Sequence, residues 1–403
     1  MKHTTWGTTF TGISQIRESC KVERLLCFII SLVCLAFYGI PALAQEKPLA
    51  AGLETTAASA VLMEPYSGRI LFTKDPHKRL PIASVTKIMT MLLAVEAVEQ
   101  GKVRLDDTVV ASETAAGMGG SQIFLAPQEE MSFYELLLSV ATASANDASI
   151  AIAEHLAGSE QAFVHQMNER AKALGLKNTN FVNCTGLTVK GHYSSAYDQA
   201  IILREALEHP LFRKVSQVKE YDLRGGKFKL WNTNKLLWFY DGTDAGKTGW
   251  TEEAHYCLAS SAVRDDLRLI AVVLGSPEPK SHFRESIKLY NWGFANFKAV
   301  SFIPRGTKIR EQPVEKGVAP RVKVVTADHA AVVVPRGQDQ GISFKIELPS
   351  KLTAPVKQGQ VVGTYVATQK GKTLAKVTLV TAAEVRKATP LEEFLKVTGC
   401  MVK

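Results

Sequence analysis

Apolar residues recur along the chain at two different periods, and the change of period divides it. Ala60-Val61-Leu62-Met63 and Ile70-Leu71-Phe72 are short apolar runs separated by Pro65-Tyr66-Ser67-Gly68, a turn composition, so a hairpin is expected over 58–73. Ile88, Met91, Leu92 and Val95 then fall at i, i+3, i+4 and i+7 with Gly101 beyond them, which predicts a helix from Ser84 to Glu99. Ser132-x-x-Glu135 reads as a capping box that opens a helix through Leu136, Leu137 and Leu138. Asp147 is expected to cap a helix from Ala148 to Leu156, stopped by Gly158, and further helices fit 160–174, 196–208 and 281–297. Tyr256–Val263 and Leu267–Leu274 read as two strands about the turn Arg264-Asp265-Asp266. Strands at both ends with helices between them predict an α+β domain whose terminal strands meet in one antiparallel sheet.

From Phe302 the helical period stops. Val322–Val325, Ala331–Val334, Phe344–Leu348, Val361–Val366 and Leu374–Val380 are β-branched runs punctuated by Pro and Gly, the pattern of a small all-β domain. At the other end, Arg17, Lys21 and Arg24 precede an apolar stretch from Leu25 to Ile40, and Pro41-Ala42-Leu43-Ala44 supplies small residues where a signal peptidase cuts. The stretch is shorter than the roughly 20 residues a spanning helix needs, so residues 1–44 are expected to be a cleaved leader. The resulting division is 1–44 leader, 45–302 α+β domain, 303–387 β-rich domain and 388–403 a short terminal helix.

Composition sharpens this only where it is divided by segment. The net charge is +9, but residues 304–403 alone hold 17 basic and 8 acidic residues, so the preceding 303 residues are balanced. A balanced core argues against nucleic acid as a partner. Cys20, Cys27 and Cys34 would leave with the leader. Cys184, Cys257 and Cys400 remain as an odd set with no CxxC or zinc spacing, expected to be structural thiols.

GxSxG, P-loop and HExxH motifs are missing. Three short motifs stand out in order: Ser84-Val85-Thr86-Lys87, Ser144-Ala145-Asn146 and Lys247-Thr248-Gly249. A serine hydroxyl attacks only when a neighbouring base takes its proton. Ser84 and Lys87 stand three apart and share one face of the expected helix, whose first turn favours negative charge. Lysine titrates near 10.4, so it is a base only if burial or a second cation lowers that value; Lys247 is a candidate for that cation. Ser-x-x-Lys alone recurs by chance about once or twice in a chain this long. Ser216-Gln217-Val218-Lys219 is such a match, in a polar stretch with no amphipathic helix after it, and is assigned to structure. The other two motifs occur once each. The three are expected at a helix start, a helix-to-helix loop and a strand start.

Together these motifs resemble those of the low-molecular-mass penicillin-binding proteins that are D-alanyl-D-alanine carboxypeptidases. The resemblance extends to Pro81-Ile82-Ala83 before Ser84, to Thr185-Gly186-Leu187 with Ser194-Ser195-Ala196-Tyr197-Asp198, and to Asn232-Thr233-Asn234-Lys235-Leu236-Leu237, and covers about 55–385. It implies a penicillin-binding/β-lactamase-like transpeptidase fold followed by the family's β-rich domain. It also implies a serine-type enzyme that removes the terminal D-alanine from peptidoglycan stem pentapeptides, outside the cytoplasmic membrane and without metal or organic cofactor. Carried over by position, Ser84 is acylated, Lys87 is the base, Ser144 relays a proton and Asn146 bonds the substrate amide. Lys247 and Thr248 hold the terminal carboxylate, and the backbone N–H groups of Ser84 and Trp250, on either side of Gly249, form the oxyanion hole. β-Lactam antibiotics are the implied inhibitors. A β-lactamase or a D,D-endopeptidase would use the same motifs; Glu205 and Glu208 lie in the right region for a deacylating carboxylate but not in an ELN-like pattern.

Two departures stand beside the third motif. Ala254-His255 replaces the usual Ala-Gly, and Asp244-Ala245-Gly246 replaces the usual Asp-Gly-hydrophobe. Family members often finish in an amphipathic helix on the membrane surface. Here Thr389 is placed to cap one, with Pro390 at its first position, Glu392 closing a capping box and Leu391, Phe394, Leu395 and Val402 on one face. The segment is short and Gly399 interrupts it, so a weak anchor helped by the basic tail is expected.

Overall fold

A computed structural model describes residues 52–397. The expected leader, Gly399, Cys400 and Val402 lie outside the described residues.

The centre is a five-stranded antiparallel sheet. Its strands are β1 (Ser59–Glu64), β2 (Arg69–Lys74), β3 (Thr243–Thr251), β4 (His255–Arg264) and β5 (Leu267–Ser276), in the order β2-β1-β5-β4-β3. The terminal strands of the α+β region do meet: β1 pairs with β5, Leu62 opposite Ala271. β1 and β5 read as unbroken apolar runs because both faces of the sheet are covered. Val61, Met63, Ile270, Val272 and Leu274 point into one core, and Ala60, Leu62, Leu269, Ala271 and Val273 into the other.

The first core lies under the helices α1 (Lys87–Glu99), α2 (Phe133–Thr142), α3 (Asn146–Ala157), α4 (Glu160–Ala173) and α5 (Ala196–Glu208). The second lies under α6 (Ser281–Asn296). Ser132 caps α2 as expected, the Glu135 N–H donating to Ser132 Oγ at 3.2 Å, but the Glu135 carboxylate accepts from the Ser132 hydroxyl at 2.9 Å and not from its backbone N–H. Asp147 does not cap α3. The N-cap is Ala145, and Asp147 lies inside the first turn with its carboxylate turned to residues 123–125. Ser84 does not lie in α1 either: Ala83–Thr86 is a separate 3₁₀ turn and the α-helix begins at Lys87. Periodicity missed the helix Pro210–Ser216 and the ribbon Glu220–Leu223/Phe228–Trp231, whose runs are too short to show a period. Ser216 is buried at the end of that helix, away from any helix start, in keeping with a structural role.

After α6 the strand Phe297–Ile303 follows without a loop and pairs with Ala330–Pro335. The other strands of the tail build a six-stranded sheet. Ala331 and Val333 pack into the second core of the central sheet, and the Tyr66 ring lies tilted against Phe302 with centroids 4.6 Å apart, so tail and sheet share apolar surface. The terminal helix Pro390–Val397 carries the expected capping box: the Thr389 N–H donates to Glu392 Oε2 at 2.8 Å and the Glu392 N–H to Thr389 Oγ1 at 3.3 Å. No helix among the described residues is long and apolar enough to cross a membrane.

Candidate active site

The three motifs converge where the 3₁₀ turn, the α2–α3 loop and the edge strand β3 meet. Lys87 is wholly buried at the first position of α1, and its Nζ has three partners: Ser84 Oγ at 2.9 Å, Asn146 Oδ1 at 2.6 Å and the Thr185 carbonyl at 2.7 Å. Two of these are fixed acceptors. A neutral amine donates its two hydrogens to Asn146 and Thr185, and its lone pair is then left facing the Ser84 hydroxyl. Burial lowers Lys87 to about 7, opposed by Cys184 and the charge of Asp147. Lys247 is also buried, and is held well below the usual lysine range, first by burial and then by the charge of Lys87. Desolvation is thus the main cause of the lowering at Lys87, and Lys247 is a second buried lysine coupled to it by charge.

Two glycines explain how the pieces come so close. A Cβ on Gly249 would stand 2.6 Å from the Ile82 carbonyl and 3.0 Å from Ser84 N, so β3 lies against the turn that bears Ser84 only because position 249 has no side chain. Gly186, at φ +86°, would put a Cβ 2.0 Å from the Ala83 carbonyl. Lys247 sits within β3 and not at its start, because Asp244 ahead of it is tied into the sheet by Arg268 at 2.6 Å and Ser261 at 2.7 Å. Lys247 Nζ donates to the Thr248 carbonyl at 2.9 Å, and the Thr248 hydroxyl donates to Thr233 at 2.8 Å. Trp250 is 56% exposed beside them.

Ser144 is buried in the α2–α3 loop with φ +62°, a conformation rare for serine and typical of residues held at functional sites. Its hydroxyl makes no hydrogen bond to Ser84, Lys87 or Lys247. Asn146 reaches Lys87 with its oxygen while its Nδ2 donates to the Gly119 carbonyl at 2.7 Å, which fixes the amide orientation. Motif reading missed Thr185 as the third acceptor of Lys87, because a backbone carbonyl leaves no side-chain signal. It also missed His192. Its Nδ1 accepts from the Val182 N–H at 3.2 Å, so Nε2–H donates to Thr86 Oγ1 at 2.8 Å, and burial lowers the ring to about 4. Cys184 and Cys257 are buried free thiols whose pKa values burial raises, Cys257 to about 12, in keeping with structural roles. His255 is exposed at φ +52°, the backbone region where glycine is favoured.

The fold and the Ser–Lys site are those of a penicillin-recognising serine peptidase, and comparison with known proteins agrees. The family model for D-alanyl-D-alanine carboxypeptidase matches residues 44–278, and that for the C-terminal domain of penicillin-binding protein 5 matches 297–387. The D-alanyl-D-alanine carboxypeptidase DacF of Bacillus subtilis (strain 168) is 41% identical, over 91% of this chain and 96% of its own length. DacC of Escherichia coli (strain K12) is 37% identical over 79% of this chain and 81% of its own. Penicillin-binding protein 5 of Haemophilus influenzae superposes with a TM-score of 0.68 at 36% identity, over 84% of this chain and 99% of that one. The chain belongs to the D-alanyl-D-alanine carboxypeptidase family of serine peptidases.

Proposed function

We propose that this chain removes the terminal D-alanine from peptidoglycan stem pentapeptides through an ester on Ser84. The observation that carries the reading is the buried Lys87 amine, 2.9 Å from Ser84 Oγ, with its other hydrogens committed to Asn146 and Thr185. Neutral Lys87 takes the hydroxyl proton as Oγ attacks the carbonyl carbon of the penultimate D-alanine, and the carbonyl electron pair moves onto oxygen. The backbone N–H groups of Ser84 and Trp250 hold that oxyanion, brought together by the close approach at Gly249. Collapse breaks the C–N bond, and the leaving nitrogen takes a proton relayed through Ser144. Water then hydrolyses the ester and restores Ser84. Lys247, desolvated, gains an anionic partner when the substrate's terminal carboxylate arrives with Thr248, and is then stabilised as an ammonium. A β-lactam presents its strained amide to the same serine and leaves a penicilloyl ester.

The residues 45–302 carry this chemistry in the proposed division, with 303–387 as a β-rich support. Residues 1–44 act as an export leader, and N-terminal sequencing of the exported protein should then begin at Gln45. The terminal helix, with Leu391 67% and Phe394 63% exposed, rests on the outer face of the cytoplasmic membrane. The direct test of the activity is D-alanine release from a synthetic pentapeptide together with the fate of benzylpenicillin. Steady D-alanine release with slow penicillin turnover supports the carboxypeptidase. Fast penicillin turnover without D-alanine release would establish a β-lactamase instead, and cleavage of a crosslinked dimer in preference to the pentapeptide an endopeptidase.

A further inference from the structure

The segment 119–125 is fastened to two consecutive side chains at the start of α3, one of which faces Lys87. The Asn146 N–H donates to the Ser121 carbonyl at 2.7 Å, beside its side-chain bond to Gly119. Asp147, wholly buried, accepts from the N–H groups of Ile123 and Leu125, each at 3.1 Å. From the other side Arg224 donates to the carbonyls of Ile123 at 2.9 Å and Phe124 at 3.2 Å, and Glu129 holds Arg224 at 2.7 Å. Ile123 and Leu125 are buried. Phe124 between them is 67% exposed and sits at φ +56°.

A bulky side chain in that backbone region costs about 1–2 kcal/mol, and a ring left in water recovers little by burial. Four backbone bonds from two charged side chains nevertheless hold it there, and its ring stands edge-on against Phe228 at 6.0 Å. Strain of this kind persists where the surroundings over-determine it, most often at sites of function. The place fits. A Cβ on Gly120 of the same segment would lie 2.8 Å from Asn146 Nδ2 and 3.8 Å from Leu187 Cδ2, so the segment passes directly beside Asn146. Phe124 follows Gly120 by four residues, and the N–H groups on either side of it are held by Asp147, the residue after Asn146.

We propose that Phe124 is a specificity-determining residue, a rigid apolar shelf for the stem-peptide residues that precede D-Ala-D-Ala. The proposal rests on the carboxypeptidase reading above. The shelf offers no hydrogen bonds of its own, so it favours substrates by length and apolar contact, not by a particular polar group.

The test compares D-alanine release from diacetyl-L-Lys-D-Ala-D-Ala, which ends short of the shelf, with release from L-Ala-γ-D-Glu-L-Lys-D-Ala-D-Ala. Phe124→Ala should lower the long-to-short ratio of kcat/KM about tenfold, chiefly through KM for the long peptide, and Phe124→Leu should keep most of it. Phe124→Gly should lower the ratio equally while leaving Tm unchanged or raised, since it relieves the backbone. An unchanged ratio in Phe124→Ala overturns the proposal, whatever happens to Tm. Failure of the unaltered protein to release D-alanine from either peptide overturns the carboxypeptidase reading and the shelf with it, and is plainly a different result.

Discussion

At the scale of single residues, the site depends on one lysine kept short of water. If neutral Lys87 is the base, as proposed, acylation of Ser84 should rise with pH through about 7 and level above it, falling about tenfold per pH unit below. Stopped-flow acylation by a chromogenic cephalosporin measures this, and a rate flat from pH 5 to 9 would contradict it. Stability carries the same signature with its own sign. The unfolded lysine holds its proton to about 10.4, so the unfolded state binds more protons between about 7 and 10.4, and the lysine's contribution to stability rises with pH across that window. Lys87→Arg should strongly reduce acylation, because a guanidinium does not give up its proton. His255 gives a different residue-scale prediction. At φ +52° a β-branched side chain is strained where glycine is not, so His255→Val should cost about 1–2 kcal/mol in thermal unfolding and His255→Gly close to nothing. Equal losses for both would show that the ring itself carries the turn.

At the scale of elements, the geometry around Ser84 is set by a strand pressed onto a turn. Gly249→Ala would force a Cβ against the Ile82 carbonyl and the Ser84 and Val85 amides. β3 should move outward, and penicillin acylation should fall at least 100-fold with a Tm loss of only a few degrees. Acylation within threefold of normal would show that the close approach is dispensable. This approach was invisible in the chain: the motif KTG marks the glycine, but that it meets Ile82, Ser84 and Val85 requires the fold. Periodicity located β1, β2, α4, α5 and α6 closely because each buries one face or both over several residues. It failed at Asp147, where a carboxylate at the right place for a cap instead satisfies the N–H groups of a distant loop. It failed likewise at Thr185, where the atom that meets Lys87 is main-chain.

On the scale of the whole molecule, the chain joins a region of balanced charge to a basic β-rich tail and a terminal helix with its own capping box. The change from helical to alternating pattern near Phe302 was legible, as was the charge of the last hundred residues. The strand that begins at Phe297 directly after α6 was not, because its apolar run continues the helix pattern into the tail. If the terminal helix rests on a membrane, the full chain should co-sediment with vesicles containing anionic phosphatidylglycerol, and less so at high salt, since surface attraction is screened. Leu391→Asp should remove much of that binding without touching acylation; binding that survives it unchanged would place the contact elsewhere. The tail packs on the sheet through Ala331, Val333 and Phe302, so the two share one apolar core.

The central claim, that Ser84 is the atom-level nucleophile of this fold, is tested most directly by locating a penicillin adduct. The protein is incubated with benzylpenicillin, quenched in acid, digested and read by mass spectrometry. One penicilloyl group on the peptide bearing Ser84, absent in Ser84→Ala and strongly reduced in Lys87→Arg, is the predicted result. An adduct on another residue, or equal labelling of Ser84→Ala, would contradict the account.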